Sequence, residues 1–139
     1  MRYWDSSALI ALFVQESESE NRIELLKKDS RVITWWASRI ECASALNRLR
    51  REGTIGETAL VQALSNVEAF CEGCVEIIPS EEVRKRSIRL VRLHPLRTGD
   101  ALQLAAALVA AHEDPSSLAI VSSDERLRSA AEREGFVVL

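Results

Sequence analysis

The chain has 139 residues, 47% hydrophobic and 28% charged, with five glycines and three prolines. This is the size and composition of one domain that can bury its own core, and it excludes long disorder, collagen-like repeats and low-complexity linkers. A net charge of −3 and a pI near 5.5 exclude whole-molecule attraction to nucleic acid, so such binding requires a local basic patch.

Residues 2–5 read as a short aromatic strand that stops at Asp5. Ser6 and Ser7 are placed to cap a helix running from Ala8 through Val14. After the polar stretch Gln15–Glu20, a second helix is expected over Ser19–Lys28. Arg31–Trp36 is β-branched and aromatic, which predicts a strand. A long helix follows over Ser38–Arg51, then a turn at Gly53-Thr54-Ile55-Gly56. Leu60, Val61, Leu64, Val67 and Cys71 recur at helical spacing. Val75–Ile78 is a strand ended by Pro79, and Glu82–Leu93 a basic helix broken before Pro95. Thr98 opens a helix to about His112, so rich in Ala and Leu on every face that it should be buried. Leu118–Ser122 is a strand, Asp124–Arg133 a helix, and Phe136–Leu139 a last strand.

Five short strands alternating with helices predict an α/β sandwich on a mainly parallel sheet, with helices on both faces and no linker within 1–139. Short right-handed crossovers favour strand order 3-2-1-4-5. Ligands bind such sheets beyond the strand carboxyl ends, where the order reverses. The longest apolar run, Leu104–Ala111, is far short of the ~20 residues that cross a bilayer, and the N-terminus carries no apolar leader. A cytoplasmic protein without a membrane segment is expected.

Cys42, Cys71 and Cys74 are too few for a disulfide scaffold. Cys71-Glu72-Gly73-Cys74 spells C-x-x-C, but it closes a helix and precedes a strand, whereas a redox motif follows a strand and opens a helix. It reads as two helix-end cysteines around a Gly cap. His94 and His112 fall at helix ends, where capping suits them. Trp35 and Trp36 could stack on bases, but burial in the core or at a dimer interface fits them better.

Four acids fall where the crevice should be. Asp5 ends strand 1, Asp124 follows strand 4, Asp100 lies in the first turn of the buried helix, and Glu41 lies in the first turn after strand 2. Asp124 could serve only as a helix cap, and Asp100 only as complement to a helix dipole. Glu41 is flanked at helical spacing by Ala37, Ser38, Ser44 and Ala45, all small, so it sits in a hollow. Two carboxylates ~5 Å apart repel by roughly 3 kcal/mol at an effective dielectric near 20. No Lys or His is obviously placed to neutralise four of them, so a tight cluster would hold protons or a cation. Hard oxygen ligands suit Mg²⁺ or Mn²⁺, which can activate water and stabilise charge on a phosphodiester.

Asp5-Ser6-Ser7-Ala8-Leu9, Glu41-Cys42-Ala43-Ser44-Ala45-Leu46, Asp100-Ala101-Leu102-Gln103-Leu104-Ala105 and Ser123-Asp124, in that order, resemble the PIN-domain pattern across essentially the whole chain. The spacings are most similar to those of VapC-like toxins of toxin–antitoxin pairs. The resemblance implies a PIN-like three-layer sandwich and a metal-dependent endoribonuclease, in which water attacks phosphorus and displaces the ribose 3′-oxygen. Asp5, Glu41, Asp100 and Asp124 would be the catalytic and Mg²⁺- or Mn²⁺-binding acids, and Ser6 and Ser123 auxiliary polar groups. It also implies a cognate antitoxin that blocks the site, and a homodimer. The chain departs from the pattern at Tyr3 and Trp4, where small aliphatic residues are usual.

Arg84, Lys85, Arg86, Arg89, Arg92 and Arg97 form a stretch with no acid between them. Lys85, Arg86, Arg89 and Arg92 share one helix face. This face could be solvated, could track RNA phosphates toward Asp100, or could pair with acids of a protein partner. Arg48, Arg50 and Arg51 suit the C-terminal end of their helix. Two rival readings are a metal-dependent phosphatase and a non-catalytic PIN-like interaction domain. A phosphatase of the haloacid-dehalogenase type would carry a second Asp at position 7, where this chain has Ser. No serine-hydrolase, Walker A or dinucleotide-binding motif occurs.

Overall fold

A computed structural model describes residues 1–139. The strands are β1 (Arg2–Trp4), β2 (Val32–Trp35), β3 (Val75–Ile77), β4 (Ala119–Val121) and β5 (Val137–Val138). The helices are α1 (Ser6–Ile10), α2 (Ser19–Lys28), α3 (Ser38–Arg51), α4 (Glu57–Cys71), α5 (Glu81–Leu93), α6 (Thr98–Ala110) and α7 (Glu125–Arg133). All strand pairs are parallel, in the expected order β3-β2-β1-β4-β5. Tyr3 of β1 lies between Ile33 of β2 and Ile120 of β4.

Side chains alternate across a strand, and the sheet divides two cores accordingly. Tyr3, Ile33 and Ile120 face one core, filled by Val83 and Leu90 of α5, the Ala/Leu face of α6 and Leu127 of α7. Trp4, Val32 and Val121 face the other, filled by Leu9 of α1, Cys42 and Leu46 of α3 and Leu60 and Val67 of α4. Helix α6 is buried along most of its length, as its composition predicts; Ala101 and every residue from Gln103 to Leu108 are covered. No helix is long and apolar enough to cross a membrane.

The first helix differs from its expectation. It begins at Ser6, not Ala8, and ends at Ile10. Asp5, rather than Ser6 or Ser7, is the cap: its backbone is extended and its side chain accepts the N–H of Ala8 at 3.1 Å. Asp and Ser cap about equally well; Asp5 takes the role because it is the last extended residue before the helix. Residues 11–14 form a turn in which Leu12, Phe13 and Val14 pack against the second core, with Phe13 edge-on to Phe70.

The three cysteines are free thiols. Cys71 ends α4 as expected, but Gly73 is not left-handed; that conformation occurs at Gly53 and Gly135. The turn instead closes through Gly73 N–H to Phe70 O and Cys74 N–H to Cys71 O. His94 is the C-cap of α5, as expected, donating its backbone N–H to Leu90 O, while its ring Nε2 lies 2.8 Å from Glu134 Oε1. Trp35 is core, and Trp36 is 48% exposed.

Candidate active site

Parallel strands bring their carboxyl ends to one edge, and the next helices start there. Asp5, Ser6, Ser7, Glu41, Arg97, Gly99, Asp100, Gln103 and Asp124 line a cavity of about 290 Å³ at that edge, without one hydrophobic side chain. The four acids from four distant segments therefore share one wall-to-wall space. Helix α6 approaches Glu41 closely: a methyl group added at Gly99 would lie 3.5 Å from Glu41 Oε1.

Both plain roles expected for the acids are present. Asp124 caps α7 through Leu127 N–H at 3.0 Å, and Asp100 reaches back to Arg97 N–H at 3.1 Å. Each role uses only one carboxylate oxygen. Asp124 bonds through Oδ1 and Asp100 through Oδ2, while Glu41 accepts from Gln103 Nε2 on Oε2 at 2.7 Å. Asp124 Oδ2, Asp100 Oδ1 and Glu41 Oε1 make no hydrogen bond within the chain. A carboxylate has about four lone-pair sites, so three of the acids are each anchored by one oxygen and hold the other in reserve. Asp5 is more fully engaged: Ser7 Oγ donates to it, at 2.8 Å from Oδ1 and 3.1 Å from Oδ2.

Asp5 is 3% exposed. Burial pushes its carboxyl up to about 6, against the downward pull of hydrogen bonds from Ser7 and Ala8. The cause is lost hydration more than crowding by the other acids. No three of the acidic, cysteine or histidine side chains are gathered closely enough to hold a metal ion directly. The acids converge, but less tightly than their spacing along the chain led us to expect. Arg97 also lines the cavity, as the end of a basic stretch expected to lead toward Asp100, and no Lys or His does. The donor set is oxygen-only and carboxylate-rich, which suits a hard divalent ion that keeps part of its water shell.

The auxiliary groups are redistributed. Ser6 lines the cavity but its hydroxyl makes no hydrogen bond, whereas Ser7, expected only as a helix cap, holds Asp5. Ser123 donates its backbone N–H to Ser7 Oγ at 2.8 Å and its hydroxyl to Glu18. That hydrogen bond, followed by the Arg22 pair and against some burial, holds the Glu18 carboxyl below its usual range. Ser123 belongs to an adjoining groove of about 550 Å³ with Ser6, Ser7, Glu16, Glu41 and Arg48. Gln103 and Arg22 were likewise unmarked; the one signal was a polar residue within an otherwise Ala/Leu helix.

Among the basic residues, only Arg97 reaches the acid cavity. Arg86 pairs with Glu113 and Arg89 with Glu134. Burial raises the Glu134 carboxyl, but donation from Arg89 and His94 holds it below its ordinary value. Lys85 and Arg92 have no ion-pair partner and remain exposed. The expected four-residue face is therefore half occupied by intramolecular pairs.

The PIN domain family model matches residues 2–133. No curated protein matches the sequence. Among solved structures, VapC20 of Mycobacterium tuberculosis, a sarcin–ricin loop cleaving toxin, superposes with a TM-score of 0.72 at 17% identity, covering 99% of this chain and 97% of that one. A toxin–antitoxin complex from Klebsiella pneumoniae gives 0.65 at 16% identity, covering 89% and 87%. FitAcB from Neisseria gonorrhoeae gives 0.64 at 14% identity, covering 100% and 96%. At such identities the likeness is one of fold.

Proposed function

The chain belongs to the PIN-domain family, and on that premise we propose that it is a metal-dependent endoribonuclease, the toxin of a toxin–antitoxin pair. The observation that carries the reading is the divided use of the carboxylates. Asp100, Asp124 and Glu41 each spend one oxygen on the fold and leave one uncommitted at the same cavity. Capping alone does not require three such acids, with Asp5, on one apolar-free cavity.

Asp5, Asp100, Asp124 and Glu41 would hold Mg²⁺ or Mn²⁺. When bound, such an ion supplies charge stabilisation at the phosphodiester and a lowered pKa for water. Asp5 must be ionised to take part, and Ser7 keeps its two oxygens oriented. Glu41 keeps Oε1 for the ion or for the attacking water. Arg97 offers a positive charge to the scissile phosphate, and exposed Lys85 and Arg92 offer attraction to the flanking backbone. The ribose 3′-oxygen leaves as water attacks in line. The toxin–antitoxin complex from Klebsiella pneumoniae shares this fold, which supports a small protein partner that masks the cavity. A homodimer belongs to the same reading.

The test is cleavage of a structured RNA by partner-free protein. Cleavage with Mg²⁺ or Mn²⁺, lost in Asp5→Asn and Asp100→Asn and in excess chelator, is the expected result. Undiminished cleavage in either variant, or with chelator present, overturns it.

A further inference from the structure

Beneath the cavity floor runs a buried chain of hydrogen bonds that joins four elements. Tyr3 Oη donates to Gln103 Oε1 at 2.7 Å. Gln103 Nε2 donates to Glu41 Oε2 at 2.7 Å and to Ser38 Oγ at 3.0 Å. Thr34 Oγ1 lies 3.0 Å from the carbonyl of Trp4 and 2.8 Å from Ser38 Oγ. A carbonyl only accepts, so the single proton of Thr34 goes to Trp4, and Ser38 must give its own proton to Thr34. Every donor and acceptor in the chain then has one role.

That order decides how the Gln103 amide lies. Were it turned over, its oxygen would face the Glu41 carboxylate, acceptor against acceptor, and Ser38 Oγ, whose proton is already given to Thr34. Tyr3 and Gln103 are buried, at 0% and 2% exposure, so water cannot repair a wrong orientation. An aliphatic residue at position 3 would have no hydroxyl to supply.

We propose that Gln103, held in one amide orientation by Ser38 and anchored at its oxygen by Tyr3, is a positioning residue that turns Glu41 Oε1 toward the cavity and so sets its affinity for a divalent cation. The inference rests on the cation-binding reading of the four acids. Neither residue meets the ion. Gln103 acts through Glu41, and Tyr3 acts through Gln103. Removal of such an outer partner commonly lowers metal affinity about tenfold or more.

The experiment is Mn²⁺ titration by calorimetry of wild type, Asp5→Asn, Gln103→Met, Tyr3→Phe and the double variant, each checked for thermal unfolding. Met preserves the volume of Gln103. Tyr3→Phe removes one oxygen and keeps the ring in the core, so it still reads the inference if Gln103→Met does not fold. We expect about tenfold weaker Mn²⁺ binding in Gln103→Met, a severalfold loss in Tyr3→Phe, and no additional loss from Tyr3→Phe once Gln103 is Met. Unchanged affinity in Gln103→Met overturns the proposal. Additive losses in the double variant overturn the relay from Tyr3. If wild type and Asp5→Asn bind Mn²⁺ alike, the cation-binding reading itself fails, an outcome distinct from the other two.

Discussion

Arg22 and Arg128 donate to the same backbone oxygen, the carbonyl of Ser122, at 3.0 and 2.7 Å. Arg22 comes from α2 and Arg128 from α7, so the turn that ends β4 and presents Asp124 is clamped from two sides. Arg22 is 3% exposed and also reaches Ser123 Oγ and Glu18. Charge-assisted hydrogen bonds to a buried guanidinium contribute ~1.5–3 kcal/mol each, and removing the guanidinium leaves its acceptors bare.

We therefore expect Arg22→Leu to lose roughly 2–4 kcal/mol of stability. Arg22→Lys should recover part of this, since all three contacts converge on one nitrogen, Nη2, and an ammonium is a single nitrogen with three donors on a shorter reach. Urea midpoints at a fixed slope measure both. A leucine variant as stable as wild type contradicts the clamp.

The buried Asp5 gives a pH dependence with a defined sign. Its carboxyl titrates near 6 in the fold against an ordinary 3.8, so the native state holds the proton more tightly than the unfolded chain. The associated stability is complete below about pH 3.8 and lost as pH rises through 6. Two pH units correspond to on the order of 3 kcal/mol. In chelator, Asp5→Asn should stabilise the protein by up to roughly that amount at pH 8 and by almost nothing near pH 4. Denaturation at both pH values checks the sign.

Asp124 both caps α7 and lines the cavity. Asn caps as well as Asp, whereas Ala costs ~1 kcal/mol. Asp124→Asn should keep wild-type stability and lose RNA cleavage; Asp124→Ala should lose cleavage and ~1 kcal/mol as well. Equal stability of the two variants argues against the cap.

The basic residues of α5 divide into free and paired. Removing Lys85 and Arg92 should lower the salt dependence of RNA binding by ~0.7 for each phosphate they no longer neutralise, the value for single strands. Arg86→Gln and Arg89→Gln should leave the slope nearly unchanged, because Glu113 and Glu134 already neutralise those side chains. Affinities at a series of salt concentrations separate the groups.

Much of this protein was legible along the chain. Short continuous apolar runs such as Tyr3-Trp4 and Ile120-Val121 specify strands buried on both faces, and an Ala/Leu helix with no polar side specifies the covered α6. Alternation of strand and helix, with right-handed crossovers, leaves the order β3-β2-β1-β4-β5 almost without competitors. Parallel strands then carry Asp5, Glu41, Asp100 and Asp124 to one edge whatever the packing details. Local rules reach this far because backbone propensity and side-chain periodicity act over a few residues. What they miss depends on meetings across 60 to 100 positions: Tyr3 with Gln103, Gln103 with Glu41, Arg22 with Ser122. A buried polar atom accepts whichever partner the packed layers bring within about 3 Å, and only the folded chain decides which oxygen of each carboxylate is held and which is left free.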